Sequence, residues 1–146
     1  MRLTKARVQN YRSIVDSGEF EIEKLKTILV GPNEAGKTVL LKALQQLNKP
    51  EDIEGFDALR DYPRSMYNDI TTGKVDSKNT IVVTGYFELD EHDKVLIPNE
   101  FHNCTYQFSR KLDNEGTHTL IGSPEKLYFK DIKKSFYLGG DEVEIL

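Results

Sequence analysis

Residues 31–38 read Gly31-Pro32-Asn33-Glu34-Ala35-Gly36-Lys37-Thr38, a match to G-x-x-x-x-G-K-[ST]. Few eight-residue patterns restrict a fold as tightly. Glycine at both ends permits backbone angles and close approach that a side chain would block. The N–H groups of such a loop turn inward and cradle phosphates, and the positive end of a following helix adds to the cradle. In that setting a lysine at position 37 places its ammonium against β and γ phosphates, and a threonine hydroxyl at position 38 ligates Mg²⁺. With glycine near ~7% of residues, a chance match in a chain of this length arises about once in a hundred. The pattern also requires a buried strand before it and a helix after it.

Both neighbours are legible. Residues 25–30 end in the continuous apolar run Ile28-Leu29-Val30, as a strand buried on both faces does. From Lys37, the residues Leu40, Ala43, Leu44 and Leu47 recur at helical spacing, so 37–47 is an amphipathic helix. Asn48-Lys49-Pro50 stops it. Before the loop, 3–11 reads as a strand with Ala6 and Val8 on one face. Residues 14–22 hold a turn at Asp16-Ser17-Gly18 and a strand in which Phe20 and Ile22 alternate with glutamates. After the loop, the polar stretch 51–73 holds one short helix, N-capped by Asp61 with Pro63 in its first turn.

Further on, 80–89 is a strand with Ile81, Val83, Phe87 and Leu89 on one face. A short helix capped by Asp90 covers 90–96. In 104–112, Cys104, Tyr106, Phe108, Arg110 and Leu112 share a side. The turn Asp113-Asn114-Glu115-Gly116 leads to a return strand over 117–121. The expected fold is therefore α/β: a mixed sheet carrying the phosphate loop and its helix, with an antiparallel meander from residue 80 onward.

Bulk properties exclude several classes. The chain has 146 residues, one ordinary domain, with a net charge of −4, so no chain-wide basic footprint for nucleic acid exists. No apolar run reaches the ~20 residues of a membrane span, and the first residues carry no apolar stretch of signal-peptide length. Cys104 is the single cysteine, which leaves no internal disulfide or cysteine metal cluster. These features point to a cytoplasmic protein.

Two stretches resemble one branch of phosphate-loop proteins. Gly-Pro-Asn-Glu-Ala-Gly-Lys-Thr is similar to the loop of SMC/RecF-like ABC ATPase heads. Its Asn-Glu-Ala interior is closest to the overcoming-lysogenisation-defect (OLD) nucleases and related AAA-type ATP-binding proteins. Asn10-Tyr11-Arg12-Ser13-Ile14 matches the aromatic-Arg-Ser turn that these proteins place between two opening strands. The likeness is specific over 1–48 and looser over 80–122. It implies that residues 1–146 form the N-terminal lobe of an ABC/OLD-like ATPase domain. Arg12 and Ser13 would then join residues 31–39 (Gly31, Pro32, Asn33, Glu34, Ala35, Gly36, Lys37, Thr38 and Val39) in binding ATP and Mg²⁺. Asn33 would face the γ-phosphate, Lys37 would be the catalytic lysine, and Thr38 would be the magnesium ligand. It further implies a homodimer closed through ATPase heads, and a DNA-directed activity such as nuclease action in repair or phage defence.

The branch also needs an apolar strand ending in Asp-Glu, a signature loop and a switch histidine, none of which is found. Asp141-Glu142 follows Gly139-Gly140 rather than an apolar strand. The expectation is thus a lobe whose second half, with any effector domain, lies elsewhere. Two alternatives stand beside it: an ATP switch that does not hydrolyse, and an unrelated small kinase or GTPase. A GTPase would carry Asn/Thr-Lys-x-Asp, and Ser77-Lys78-Asn79 lacks the Asp. A kinase lid would be rich in arginine after residue 100, where only Arg110 lies.

Other polar clusters invite blander readings. His92, His102 and His118 lack ligand spacing. Asp90-Glu91-His92-Asp93 is a helix start rather than a metal site, because adjacent helical residues diverge. Arg60 and Arg64 flank Asp61, and local pairing is expected there. Gln107 is weighed as a nucleotide sensor, but it sits inside a strand rather than at its end. Lys126–Lys134, interleaved with aromatics, reads as the solvated face of an element more readily than as a DNA track.

Overall fold

The computed structural model describes residues 1–27 and 34–125. Its centre is a sheet of six strands. Strand β1 spans Arg2–Tyr11. Ala6 and Val8 are fully buried, because a strand presents alternate residues to one face. The turn at 16–18 forms as expected: Gly18 has φ +66° and donates its N–H to Asp16 Oδ1 at 2.8 Å. The short strands β2 (Ile14–Asp16) and β3 (Phe20–Glu21) both pair β1. Strands β4 (Ile81–Glu88), β5 (Thr105–Lys111) and β6 (Gly116–Ile121) form the predicted meander, with β4 against β1.

One face of this sheet takes the helices. Helix α1 (Glu34–Gln45) buries Ala43 and lays Val39, Leu40 and Leu44 on a core of Val8, Tyr11, Phe56, Tyr62, Val82, Val83 and Leu112. Leu47 joins them from a 3-10 turn over 46–48, and extended backbone at Lys49 ends the run before Pro50. Gly85 faces this side because it must: a Cβ there would lie 2.9 Å from Leu47 Cδ1 and 3.0 Å from Leu3 Cδ1. The opposite face is polar. Arg7, Thr84, Ser109 and Thr117 form one row across four strands, and Lys5, Tyr86, Gln107 and Thr119 the next.

Four expectations change. Every described strand pairing is antiparallel, so the mixed sheet is replaced, among the described residues, by an antiparallel one. The candidate strand at 28–30 lies outside those residues, and Leu25 before it is 95% exposed. Helix α1 starts at Glu34, three residues early, as good helix formers at 34 and 35 allow.

The single helix at 61–72 is instead α2 (Ala58–Asp61), a 3-10 turn at 64–66 and α3 (Tyr67–Thr71). Asp57 is the N-cap of α2, accepting from the Leu59 and Arg60 amides, and Asp61 closes the helix. Finally, Ile81 leaves the shared face. A register shift between Ile81 and Val83 buries both Val82 and Val83 and exposes Ile81, as a bulge does when two residues oppose one. Leu89 lies just past the strand end but lines the same apolar hollow as Phe87.

The remaining helix, α4 (Glu91–Leu96), carries the expected Asp90 cap as a full capping box with Asp93. The N-terminal amine of Met1 pairs with Asp93. No helix among the described residues is long and apolar enough to cross a membrane.

Candidate functional site

The end of β1 and its turn into β2 hold two of the three non-glycine residues with positive φ among the described residues. Tyr11 pairs with Ile14, leaving Arg12-Ser13 as a two-residue hairpin loop. Arg12 has φ +52° and Asn10 φ +53°. Asparagine tolerates left-handed backbone, whereas arginine at that angle costs about 1–2 kcal/mol. Three contacts hold Arg12 there. Its amide donates to the Asp61 carbonyl at 2.6 Å, its Nε donates to Asp61 Oδ1 at 3.0 Å, and its guanidinium lies 5.2 Å from the Tyr11 ring centroid. Tyr11 is itself fixed edge-to-face on Phe56 at 5.4 Å.

Asp61 is the hub. Its side chain is fully buried, and a buried carboxylate must be satisfied. Oδ1 also accepts Arg60 Nε at 3.1 Å. Oδ2 accepts Arg60 Nη2 at 2.8 Å and the Asp57 amide at 2.9 Å. Burial pushes this carboxyl up, but the hydrogen bonds from Arg60, Asp57 and Arg12 outweigh it and hold it below the ordinary carboxylate value. Arg60 reaches on to Glu54 Oε2 at 3.0 Å and the Gly55 carbonyl at 2.9 Å. The local pairing expected for Arg60 is thus present, joined by an arginine from 49 residues away.

Beside this hub opens a cleft of about 660 Å³. Arg12, Arg60 and Arg64 line it with Ser13 and Ser65, and Val15, Tyr62 and Pro63 supply apolar surface. The Arg64 side chain makes no ion pair or hydrogen bond among the described residues, although its carbonyl accepts the Tyr67 amide. With three guanidiniums against the carboxylates of Asp61 and Glu54, the cleft suits an anion that also carries an apolar moiety. Helix α1 contacts both β1 and β2, and Arg12 shares a second hollow with Lys42, Gln45 and Gln46 at the end of that helix.

Of the expected phosphate loop, Gly31, Pro32 and Asn33 lie outside the described residues. Glu34 and Ala35 open α1, and Gly36, Lys37, Thr38 and Val39 follow within it. Val39 packs on the core, Lys37 is half-buried and Thr38 exposed. Gly36 is informative. Its φ is not left-handed, and a Cβ there would meet nothing within 4 Å. Packing among the described residues thus gives no reason for a glycine, which costs a helix about 1 kcal/mol relative to alanine. A group approaching that backbone closely supplies one. The residues present therefore fit a bound triphosphate.

The other candidates have structural roles. Gln107 sits within β5, opposite Tyr86 and Thr119 on the polar face. His118 packs against Tyr106 and Phe108, and His102 bonds the Ile97 carbonyl at 2.7 Å. Among the described residues no group of three or more His, Cys, Asp or Glu could hold a metal. The lysine cluster at 126–134 and Asp141-Glu142 lie outside them.

The family resemblance placed Arg12 and Ser13 in a nucleotide site but did not foresee the tie of Arg12 to Asp61. No local pattern signals a partner 49 residues distant. Comparison with known proteins gives no match among curated ones. A family model described as the AAA ATPase domain matches residues 1–138, nearly the whole chain, and the protein belongs to that family of ATP-binding domains.

Proposed function

We propose that residues 31–39, together with Arg12 and Ser13, bind ATP with Mg²⁺, and that the chain is one lobe of an SMC/RecF/OLD-like ATPase head. Lys37 contacts the β and γ phosphates, Thr38 ligates the metal, and Asn33 faces the γ-phosphate. The metal would neutralise charge developing on the transferred group. The observation that supports this most directly is Gly36: a helical glycine whose φ is not left-handed and which no described residue crowds, followed at once by Lys37 and Thr38 near the start of a 12-residue helix. A helix N-terminus suits phosphate.

Hydrolysis in this branch needs an acidic strand and a second head, so the isolated chain binds ATP without turnover. In the complete assembly, ATP would close two heads of a cytoplasmic homodimer and drive a DNA-directed activity such as nuclease action.

The test is thermal denaturation with and without ATP–Mg²⁺. Ligand at 100 times Kd stabilises by about 2.7 kcal/mol, which in a domain of this size raises Tm by roughly 6–10 °C. Lys37→Ala should lose that rise. An equal rise in the variant overturns the loop assignment, and robust ATP turnover by the isolated chain overturns the lobe reading.

A further inference from the structure

A carboxylate has about four acceptor positions, and at Asp61 all four are taken: Arg12 Nε and Arg60 Nε on Oδ1, Arg60 Nη2 and the Asp57 amide on Oδ2. The Asp61 main-chain carbonyl holds the Arg12 amide as well. One residue therefore grips Arg12 by its backbone and by Nε. Because its acceptors are full, Asp61 has nothing left to offer the Nη groups of Arg12. Four N–H donors of that guanidinium remain for the cleft that Arg12 lines with Ser13. The grip survives in an unfavourable backbone angle, a strain that persists only where the surroundings over-determine it.

We infer that Asp61 is a positioning residue for nucleotide binding: it fixes Arg12 before the ligand arrives, with the Nη donors already aimed at an anionic oxygen. The inference rests on the reading of Arg12 as a nucleotide contact. Arg60 has the complementary part. It occupies the remaining acceptors, so that Arg12 cannot collapse into a bidentate pair with Asp61 and bury the donors the ligand needs. Ordering a long cationic side chain in advance is worth about tenfold in affinity.

The test is a double-mutant cycle on the ATP–Mg²⁺ Kd, measured by calorimetry on the whole chain. Asp61→Asn replaces one acceptor oxygen with a donating amide, which opposes the N–H groups now facing it. Asp61→Asn should weaken binding about tenfold. Arg12→Ala should weaken it by at least as much, and adding Asp61→Asn to Arg12→Ala should weaken it no further. Asp61→Asn acting equally with and without Arg12, or not at all, overturns the inference.

The ¹⁵Nε–¹H signal of Arg12 gives a readout that a merely structural role would not move. It should exchange slowly with solvent in the wild-type chain and lose that protection in Asp61→Asn. If the variant does not fold, the wild type still decides. Protection of Nε–H that persists through an ATP–Mg²⁺ titration supports the positioning role, and its loss on binding refutes it. Lys37→Ala separates the two levels. If it leaves the Kd unchanged, the nucleotide-site reading itself falls. If it abolishes binding while Arg12→Ala and Asp61→Asn bind like the wild type, only the role of Asp61 falls.

Discussion

Replacing Arg12 by glycine should damage the protein less than replacing it by alanine, an inversion of the usual order in and beside strands. Both substitutions remove the same side chain. Both lose the Nε bond to Asp61 at 3.0 Å and the stacking on Tyr11 at 5.2 Å, and both keep the amide bond to the Asp61 carbonyl. A hydrogen bond to a charged group is worth about 1.5–3 kcal/mol. Here the lower end applies, since Arg12 is one-third exposed and solvent screens it. The cation–ring contact adds about 0.5–1 kcal/mol at such a site. These losses cancel when the two variants are compared.

What remains is the backbone at φ +52°. Alanine there retains a left-handed penalty of about 1–2 kcal/mol. Glycine is free of it but gives the unfolded chain about 0.5–1 kcal/mol of extra entropy. Glycine should therefore win by about 0.5–1 kcal/mol. With a urea slope of roughly 2 kcal/mol/M, that separates the two midpoints by roughly 0.25–0.5 M at equal slope. Lys5 serves as the control, being an exposed position of β1 with ordinary φ. There alanine should be the more stable, by about 0.5–1 kcal/mol. An Arg12→Ala variant as stable as Arg12→Gly would refute the argument that strain is stored in this turn.

Three further outcomes follow from other parts of the molecule. The hydrogen bond from Arg7, with the Gly18 amide, holds the Asp16 carboxyl down at about 2. Its contribution is thus present above the ordinary aspartate value of ~3.9 and lost as pH falls through about 2, and Arg7→Ala should return the Asp16 carboxyl resonance titration toward ~3.9. Gly85→Ala would drive a methyl to 2.9 Å from Leu47 and 3.0 Å from Leu3 and Phe87, so it should cost about 1–3 kcal/mol in urea denaturation. Asn114 sits at φ +71° and holds the Phe56 amide and carbonyl at 2.7 and 2.9 Å; Asn114→Gly should lose about 1–2 kcal/mol for the two bonds, Asn114→Ala should lose about 1 kcal/mol more, and equal losses would show that turn strain is absent.

The elements that sequence reading recovered share a physical cause. Strand β1, helix α1 and strands β4 and β5 each bury one face, so burial writes a period of two or of 3.6 into the residues themselves, whereas β6 is exposed throughout and is announced by the turn before it. Ala6 and Val8 in β1, and Leu40, Ala43 and Leu44 in α1, carry that signal without reference to anything distant. The misses arise where two local solutions are equivalent and a distant group chooses. Asp57 and Asp61 are both good N-caps by type. Asp57 takes the role because Arg12, with Arg60, claims the Asp61 carboxylate, and nothing near residue 61 announces an arginine at position 12. The bulge in β4 has the same character: Ile81-Val82-Val83 is uniformly apolar, so the residue that turns outward is decided by pairing to β5 rather than by composition. Asn114 looks like any turn asparagine until Phe56 is brought beside it.

The candidate site divides along the same line. Gly36, Lys37 and Thr38 stand out in sequence because glycine, lysine and hydroxyl residues at fixed spacing have few other uses, whereas Arg12 and Ser13 stand out only through the resemblance of their turn to a known family. The carboxylate that organises Arg12 is invisible there, because its four donor groups come from residues 12, 57 and 60 and only folding brings position 12 to the others. A buried acid shared by several arginines is therefore worth seeking beside any phosphate-loop turn that holds an arginine in left-handed backbone. The strain shows that something holds the residue, and a saturated carboxylate is what can hold it while leaving its outer donors to the ligand.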